Sequence, residues 1–187
     1  MRVMGRVTLR DVHDALWQSR SRTEGSGPWT GRLLDLADAG LGPDWWDVEL
    51  DGADALAVVL PFHAGEPCHG DRLTLVGPEG LSVAAAAARF AEIEPEYARE
   101  NRSCWGRIDG ARRAPLSRVV LATAPIDHEE YRGLSRGSAF ATATADKPRL
   151  YCLDGRHRLI GWALAGALTP GAVVPAHIAG GFGGPGL

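Results

Sequence analysis

The stretch Leu150-Tyr-Cys-Leu-Asp-Gly-Arg-His-Arg158, continued by Leu159-Ile-Gly-Trp-Ala-Leu-Ala-Gly166, concentrates more chemistry than any other part of the chain. A short apolar run reads as a strand, Asp154-Gly155 as a tight turn, and the residues from Arg156 onward as a helix. The first turn of a helix presents N–H groups without intrahelical partners and the positive end of its dipole. Arg156, His157 and Arg158 at that point make a cradle for a phosphate or a carboxylate.

The elements around this stretch read clearly. Arg118–Ala122 is expected as a strand, Asp127–Leu134 as a short helix, and Gly137–Pro148 as a loop with an edge strand. Arg149–Leu153 forms the strand before the motif, Arg156–Ala165 the helix after it, and Val173–Ile178 a final strand. The glycine-dominated tail, 180–187, is expected to be flexible.

Toward the N-terminus the signals are weaker. Thr8-Leu-Arg-Asp11 matches a capping box with Asp in place of Glu, and Val12, Ala15 and Leu16 follow at helical spacing, so residues 9–19 are expected to be helical. Thr30 caps a second expected helix over 32–39, stopped by Gly40. Residues 46–50 and 55–60 read as two strands joined at Asp51-Gly52, and 72–76 as a further strand. Ser82 caps an alanine-rich helix over 83–93, and Pro95 opens another turn through Arg102. Residues 103–116 are polar, contain arginine and are closed by Pro115, which places a boundary there. The expected fold class is therefore α+β, a mixed α/β chain with an N-terminal α/β extension over 1–116, a core over 117–179 and a flexible tail over 180–187.

Bulk properties narrow the function classes. The 187 residues are 45% hydrophobic, enough for a core without disulfide or metal staples. A net charge of −3 argues against a general nucleic-acid binder. Lys147 is the only lysine, and the bias to arginine, alanine and glycine fits a GC-rich bacterial genome. Three cysteines, Cys68, Cys104 and Cys152, do not make a disulfide framework. The N-terminus lacks the apolar run of a signal peptide, and no segment is apolar for long enough to span a membrane. A cytoplasmic protein is expected.

The segment Val119-Val-Leu-Ala-Thr-Ala-Pro-Ile-Asp-His-Glu-Glu-Tyr131, the Asp154-Gly155-Arg156-His157-Arg158 element with its helix to Gly166, and Val173-Val-Pro-Ala-His177 together resemble the ParB/sulfiredoxin superfamily. The likeness covers about a third of the chain, a share compatible with a small complete domain. It implies a nucleoside triphosphate whose phosphates lie at the helix start. Sulfiredoxins carry a cysteine immediately before the His-Arg pair, where this chain has Arg156. ParB partition proteins carry a helix-turn-helix downstream, whereas this sequence stops soon after Ile178. A third branch, which phosphorylates free serine, uses an acidic residue after the opening strand and the Asp of its Asp-Gly-His element. Glu129 or Glu130, with Asp154, stand at those positions. The resemblance therefore implies an enzyme that uses ATP and Mg²⁺ to phosphorylate or activate a small polar metabolite. The alternative is a non-catalytic, nucleotide-dependent regulatory module associated with protein or DNA.

Each candidate has a second reading. Asp154 either accepts a proton or holds Mg²⁺, or simply caps the helix. Gly155 marks a turn with positive φ or a close approach to ligand. Arg156 and Arg158 point in different directions on a helix, so one of them, with Arg158 preferred, is expected to face the site beside His157. His157 either contacts phosphate or is a packed histidine. Glu129 and Glu130 also diverge, one inward as base or metal ligand and the other solvated, and His128 shares their segment. His63, Cys68 and His69 are metal-ligand types in a Gly/Pro loop, but no second cluster completes four ligands. Cys152 is expected to be packing, and Trp29, Trp45, Trp46 and Trp105 to be core or a substrate wall.

Overall fold

The computed structural model describes residues 1–19, 27–63, 73–134 and 149–181. Seven strands form one mixed sheet: β1 (Arg2–Val7), β2 (Trp45–Asp51), β3 (Val59–Leu60), β4 (Leu81–Ser82), β5 (Val119–Ala122), β6 (Tyr151–Asp154) and β7 (Val173–Ala179), in the order β1-β2-β7-β5-β6-β3-β4. β5 lies parallel to β7 and antiparallel to β6, while β2 lies antiparallel to β7. Residues 1–116 and 117–179 thus both contribute strands to a single sheet. The helices are α1 (Leu9–Ser19), α2 (Gly27–Leu41), α3 (Gly52–Ala57), α4 (Val83–Glu100), α5 (Arg102–Arg112) and α6 (Arg156–Leu164). Together with the mixed sheet they make the α+β class expected from sequence.

Strand alternation explains the layering. Val119 and Leu121 of β5 join Cys152, Val174, Ala176 and Ile178 in a core shared with Phe90, Ile108 and Trp162, on the side of α4, α5 and α6. Val120, Ala122, Leu153 and Ala179 point the other way, into a second core with Val12, Leu16, Leu33 and Leu34 of α1 and α2. The central strands are buried on both faces, which is why β5 and β6 read as apolar runs rather than alternating ones.

The capping box at α1 forms as read: the Thr8 N–H donates to Asp11 Oδ2 at 2.8 Å, and the Asp11 N–H to Thr8 Oγ1 at 3.2 Å. Ser82 Oγ likewise accepts from the Ala85 N–H and starts α4. Six sequence expectations need correction. Thr30 lies inside α2 and is buried, rather than capping it. Residues 55–60 are not one strand, because Asp51 accepts from the Ala53 N–H and nucleates α3 before the β-branched pair Val58-Val59 turns the chain into the two-residue β3. Pro95 opens no new helix: α4 continues through it, anchored by buried Phe90 and Tyr97 on either side. Residues 102–112, most of which lie in the polar stretch 103–116 read as a boundary, form α5, with Cys104, Ile108 and Ala111 making its buried face. The expected strand over 72–76 reduces, within the described residues, to a single bridge between His63 and Val76. The short helix at 127–134 is one 3-10 turn, Glu129–Tyr131. The expected loop over 137–148 lies outside the described residues, as does most of the tail.

Candidate functional site

β6 delivers Asp154 to its C-terminal end, and Gly155 then turns the chain into α6. Gly155 has φ 102° and ψ 11°, the left-handed region that favours glycine. A Cβ built there would lie 2.6 Å from Val119 Cγ1, so the position is closed to side chains on two grounds. The start of α6 has no side-chain cap, and it opens into a cavity of about 640 Å³. Gly155, Arg156, His157 and Arg158 all line that cavity, with Asp154 and Glu130. Its far walls come from Arg107 and Ala111 of α5, Trp29 and Thr30 of α2, His63 and Ser117.

Both arginines therefore face the cavity, contrary to the expectation that only one would. The cavity covers the end of α6 rather than one flank, so side chains diverging around the first turn still reach it. Arg156 extends toward Glu130, with Nη2 donating to Oε2 at 2.7 Å, and toward the Phe62 carbonyl at 3.4 Å. Arg158 extends the other way. It donates to Asp154 Oδ2 at 2.7 Å, to the Arg118 carbonyl at 2.7 Å and to Ser117 Oγ at 3.1 Å. Burial pushes the Arg156 guanidinium down, but the adjoining Glu130 charge and hydrogen bond outweigh it, and its pKa rises.

The glutamate pair separates as anticipated. Glu130 turns into the cavity, whereas Glu129 lines a different recess with Phe62, Pro78, Arg132 and Gly133. His128 is buried, and its Nδ1 accepts from the Glu130 N–H at 3.3 Å. Its ring packs edge-on against Trp29 at 4.7 Å. Cys152 is fully packed, and burial pushes its thiol up to about 12, so it is inert as a nucleophile at neutral pH. Trp45 is core, with Nε1 donating to Asp38 at 2.9 Å, while Trp105 donates to Glu94 at 3.1 Å.

Two charge pairs inside the cavity cancel. Arg107 is exposed and has no ion pair among the described residues, so the described lining of the cavity carries a surplus positive charge. Burial, reinforced by Arg156 and Arg107, lowers His63 to about 3. Burial, then His63 and the same guanidiniums, keep His157 well below its usual value. Both imidazoles are neutral and add no charge at neutral pH.

Arg107 is not among the sequence-predicted site residues, because the polar segment that carries it reads as a boundary rather than a helix. Its place on α5 brings it over α6. That crossing is close at Gly161, where a Cβ would lie 2.5 Å from the Ile108 carbonyl. Cys68 and His69 fall outside the described residues.

The chain belongs to a family of unknown function, DUF6309, whose model matches residues 1–185. No curated protein and no solved structure matches it. No helix among the described residues is long and apolar enough to cross a membrane.

Proposed function

We propose that the cavity at the start of α6 binds the phosphates of a nucleotide, ATP in first place. The protein then uses it, with Mg²⁺, to phosphorylate or otherwise activate a small polar metabolite. One observation carries this reading: an uncapped helix start, opened by a glycine at positive φ, faces a cavity with three guanidiniums and a surplus positive charge. Oriented N–H groups, a helix dipole and arginine forks are the general means of holding phosphate. The cavity volume is within the range of small-molecule sites. The nucleotide itself comes from the ParB/sulfiredoxin resemblance.

In this reading Gly155 lets phosphate approach the backbone, and Arg107, Arg156 and Arg158 hold it with His157. Arrival of phosphate draws Arg158 off Asp154. The freed carboxylate then accepts the proton of the acceptor hydroxyl as its oxygen bonds to the terminal phosphorus and the nucleoside diphosphate leaves. Mg²⁺ favours carboxylate and phosphate oxygens, and Asp154 fits it only in that opened state. When bound, it would supply charge neutralisation on the phosphates. Glu130 stays with Arg156 and positions it, and Glu129 has no part. The same reading puts the protein in the cytoplasm, where ATP is available and Cys104 and Cys152 remain thiols.

A second reading, a non-catalytic nucleotide-dependent module acting with a protein or DNA partner, is favoured by the pairing of both cavity carboxylates with arginine. Product analysis after incubation with ATP and candidate hydroxy or amino compounds separates the two. A phosphorylated product with ADP supports the enzyme, and nucleotide binding without turnover supports the module. Failure of ATP and CTP to raise the melting temperature at millimolar concentration would defeat both, since a saturating ligand must stabilise the native state.

A further inference from the structure

His63, just after β3, Cys104 on the first turn of α5 and His157 on the first turn of α6 are far apart in sequence. The fold brings one ligand-type atom of each within 4.8 Å of the others. His63 Nε2 already lies 3.4 Å from Cys104 Sγ, and the two imidazole rings meet edge-on with centroids 5.4 Å apart. Ligand atoms around a tetrahedral Zn²⁺, with bonds of about 2.0–2.3 Å, stand roughly 3.3–3.8 Å apart. The cluster therefore needs a contraction of about 1.5 Å at most to close on an ion of that size. His157 Nε2 is buried without a hydrogen-bond partner among the described residues. An orphaned buried ring nitrogen is costly unless something binds it.

We propose that His63, Cys104 and His157 form a three-ligand site for a Zn²⁺-type divalent ion, with its fourth position open to the cavity at the start of α6. Two imidazoles and one thiolate are a borderline-soft donor set, suited to Zn²⁺ and Co²⁺ and poorly suited to Mg²⁺ or Ca²⁺. His63 and His157 line the cavity. Three protein ligands with a remaining open position is the pattern of catalytic rather than structural zinc. The Cys104 thiolate cancels one of the two metal charges. Arg156 and Arg158 are already neutralised by Glu130 and Asp154, so Arg107 is the main opposing cation. The ion would bind an anion's oxygen at the same mouth that α6 presents to phosphate. The metal site stands on its own geometry and does not depend on the nucleotide reading.

The test is a titration of the chelator-treated full chain with Co²⁺ and Zn²⁺, followed by absorption and calorimetry, with circular dichroism to confirm folding. The wild-type protein is expected to bind one ion per chain and to show a thiolate-to-cobalt charge-transfer band with tetrahedral d–d bands. Cys104→Ser is expected to lose the charge-transfer band. His63→Gln, at a partly exposed position, is expected to weaken binding on the order of 100-fold. Two results would overturn the proposal: no saturable binding by the folded wild type, or a charge-transfer band and affinity that survive both substitutions. Nucleotide binding measured in the same metal-free protein shows separately whether the phosphate site stands.

Discussion

The Arg156–Glu130 pair is the sharpest energetic consequence of the way the cavity is built. Its side chains are only 13% and 15% exposed, and the guanidinium and carboxylate meet at 2.7 Å. Removing one member leaves the other charge buried without its counterion, which costs about 3–5 kcal/mol. Arg156→Met and Glu130→Leu, made singly, should each lose that amount. The double variant replaces the pair by apolar groups of similar bulk and should recover most of it, ending within about 2 kcal/mol of wild type. The interaction energy from the cycle is then several kcal/mol, far above the roughly 0–1 kcal/mol of a solvated pair. Urea unfolding followed by circular dichroism measures it. With a slope near 2 kcal/mol per molar urea, each single variant shifts the midpoint down by about 1.5–2.5 M, and the double variant by no more than about 1 M. Single-variant losses below about 1 kcal/mol that simply add in the double would refute the reasoning. They would mean that water screens Arg156 and that Glu130 is a cavity carboxylate available for chemistry.

Three further outcomes follow from the same geometry. Gly155→Ala forces a side chain into φ 102° and against Val119, so it should destabilise by about 1–3 kcal/mol in urea unfolding and abolish nucleotide-induced thermal stabilisation. His177 is buried beside Arg118, which donates to its Nδ1 at 3.3 Å, and burial first, then that guanidinium, lower it to about 4. The unfolded chain takes up this proton near pH 6.5 and the folded one does not, so its contribution is intact above pH 6.5 and is lost as the pH falls toward 4. The His177 share of the slope is about 1.4 kcal/mol per pH unit across that window, added to those of His63 and His157, and His177→Gln should lower the slope of a series of urea midpoints by that share. Asp154→Asn should keep ATP affinity within a few-fold while turnover, read as ADP and phosphorylated product, falls to background; undiminished turnover would leave Asp154 as the partner of Arg158 alone.

The parts of the fold visible in sequence are those whose local chemistry agrees with their tertiary role. β5, β6, α6 and β7 could be read because β-branched and apolar runs, a glycine turn and an apolar run of helical length all point the same way. The Thr8–Asp11 box and the Ser82 cap were visible for the same reason. α5 was hidden because Gly106 and Gly110 lower its helix propensity and its buried face is only Cys104, Ile108 and Ala111. α3 was hidden because an Asp-Gly pair reads equally well as a hairpin turn or a helix start. For the site, the phosphate-type cradle at Asp154–Arg158 was legible as a run of adjacent residues. The opposing wall was not: Arg107 depends on α5 lying over Gly161, and the meeting of His63, Cys104 and His157 depends on three elements that no spacing relates. The direction in which each of Glu129 and Glu130 turns was set by the 3-10 turn, which their adjacency alone does not specify.

The most direct test of the anion site at the start of α6 is calorimetric titration of ATP, with Mg²⁺, into the wild-type protein and Arg158→Ala, both checked for folding. One nucleotide per chain should bind wild type saturably. Loss of a charge-assisted contact worth about 1.5–3 kcal/mol should weaken binding roughly 10- to 150-fold in the variant. Equal affinity in the two proteins, or no binding of ATP or CTP to the folded wild type at millimolar concentration, would contradict the assignment of this cavity to phosphate.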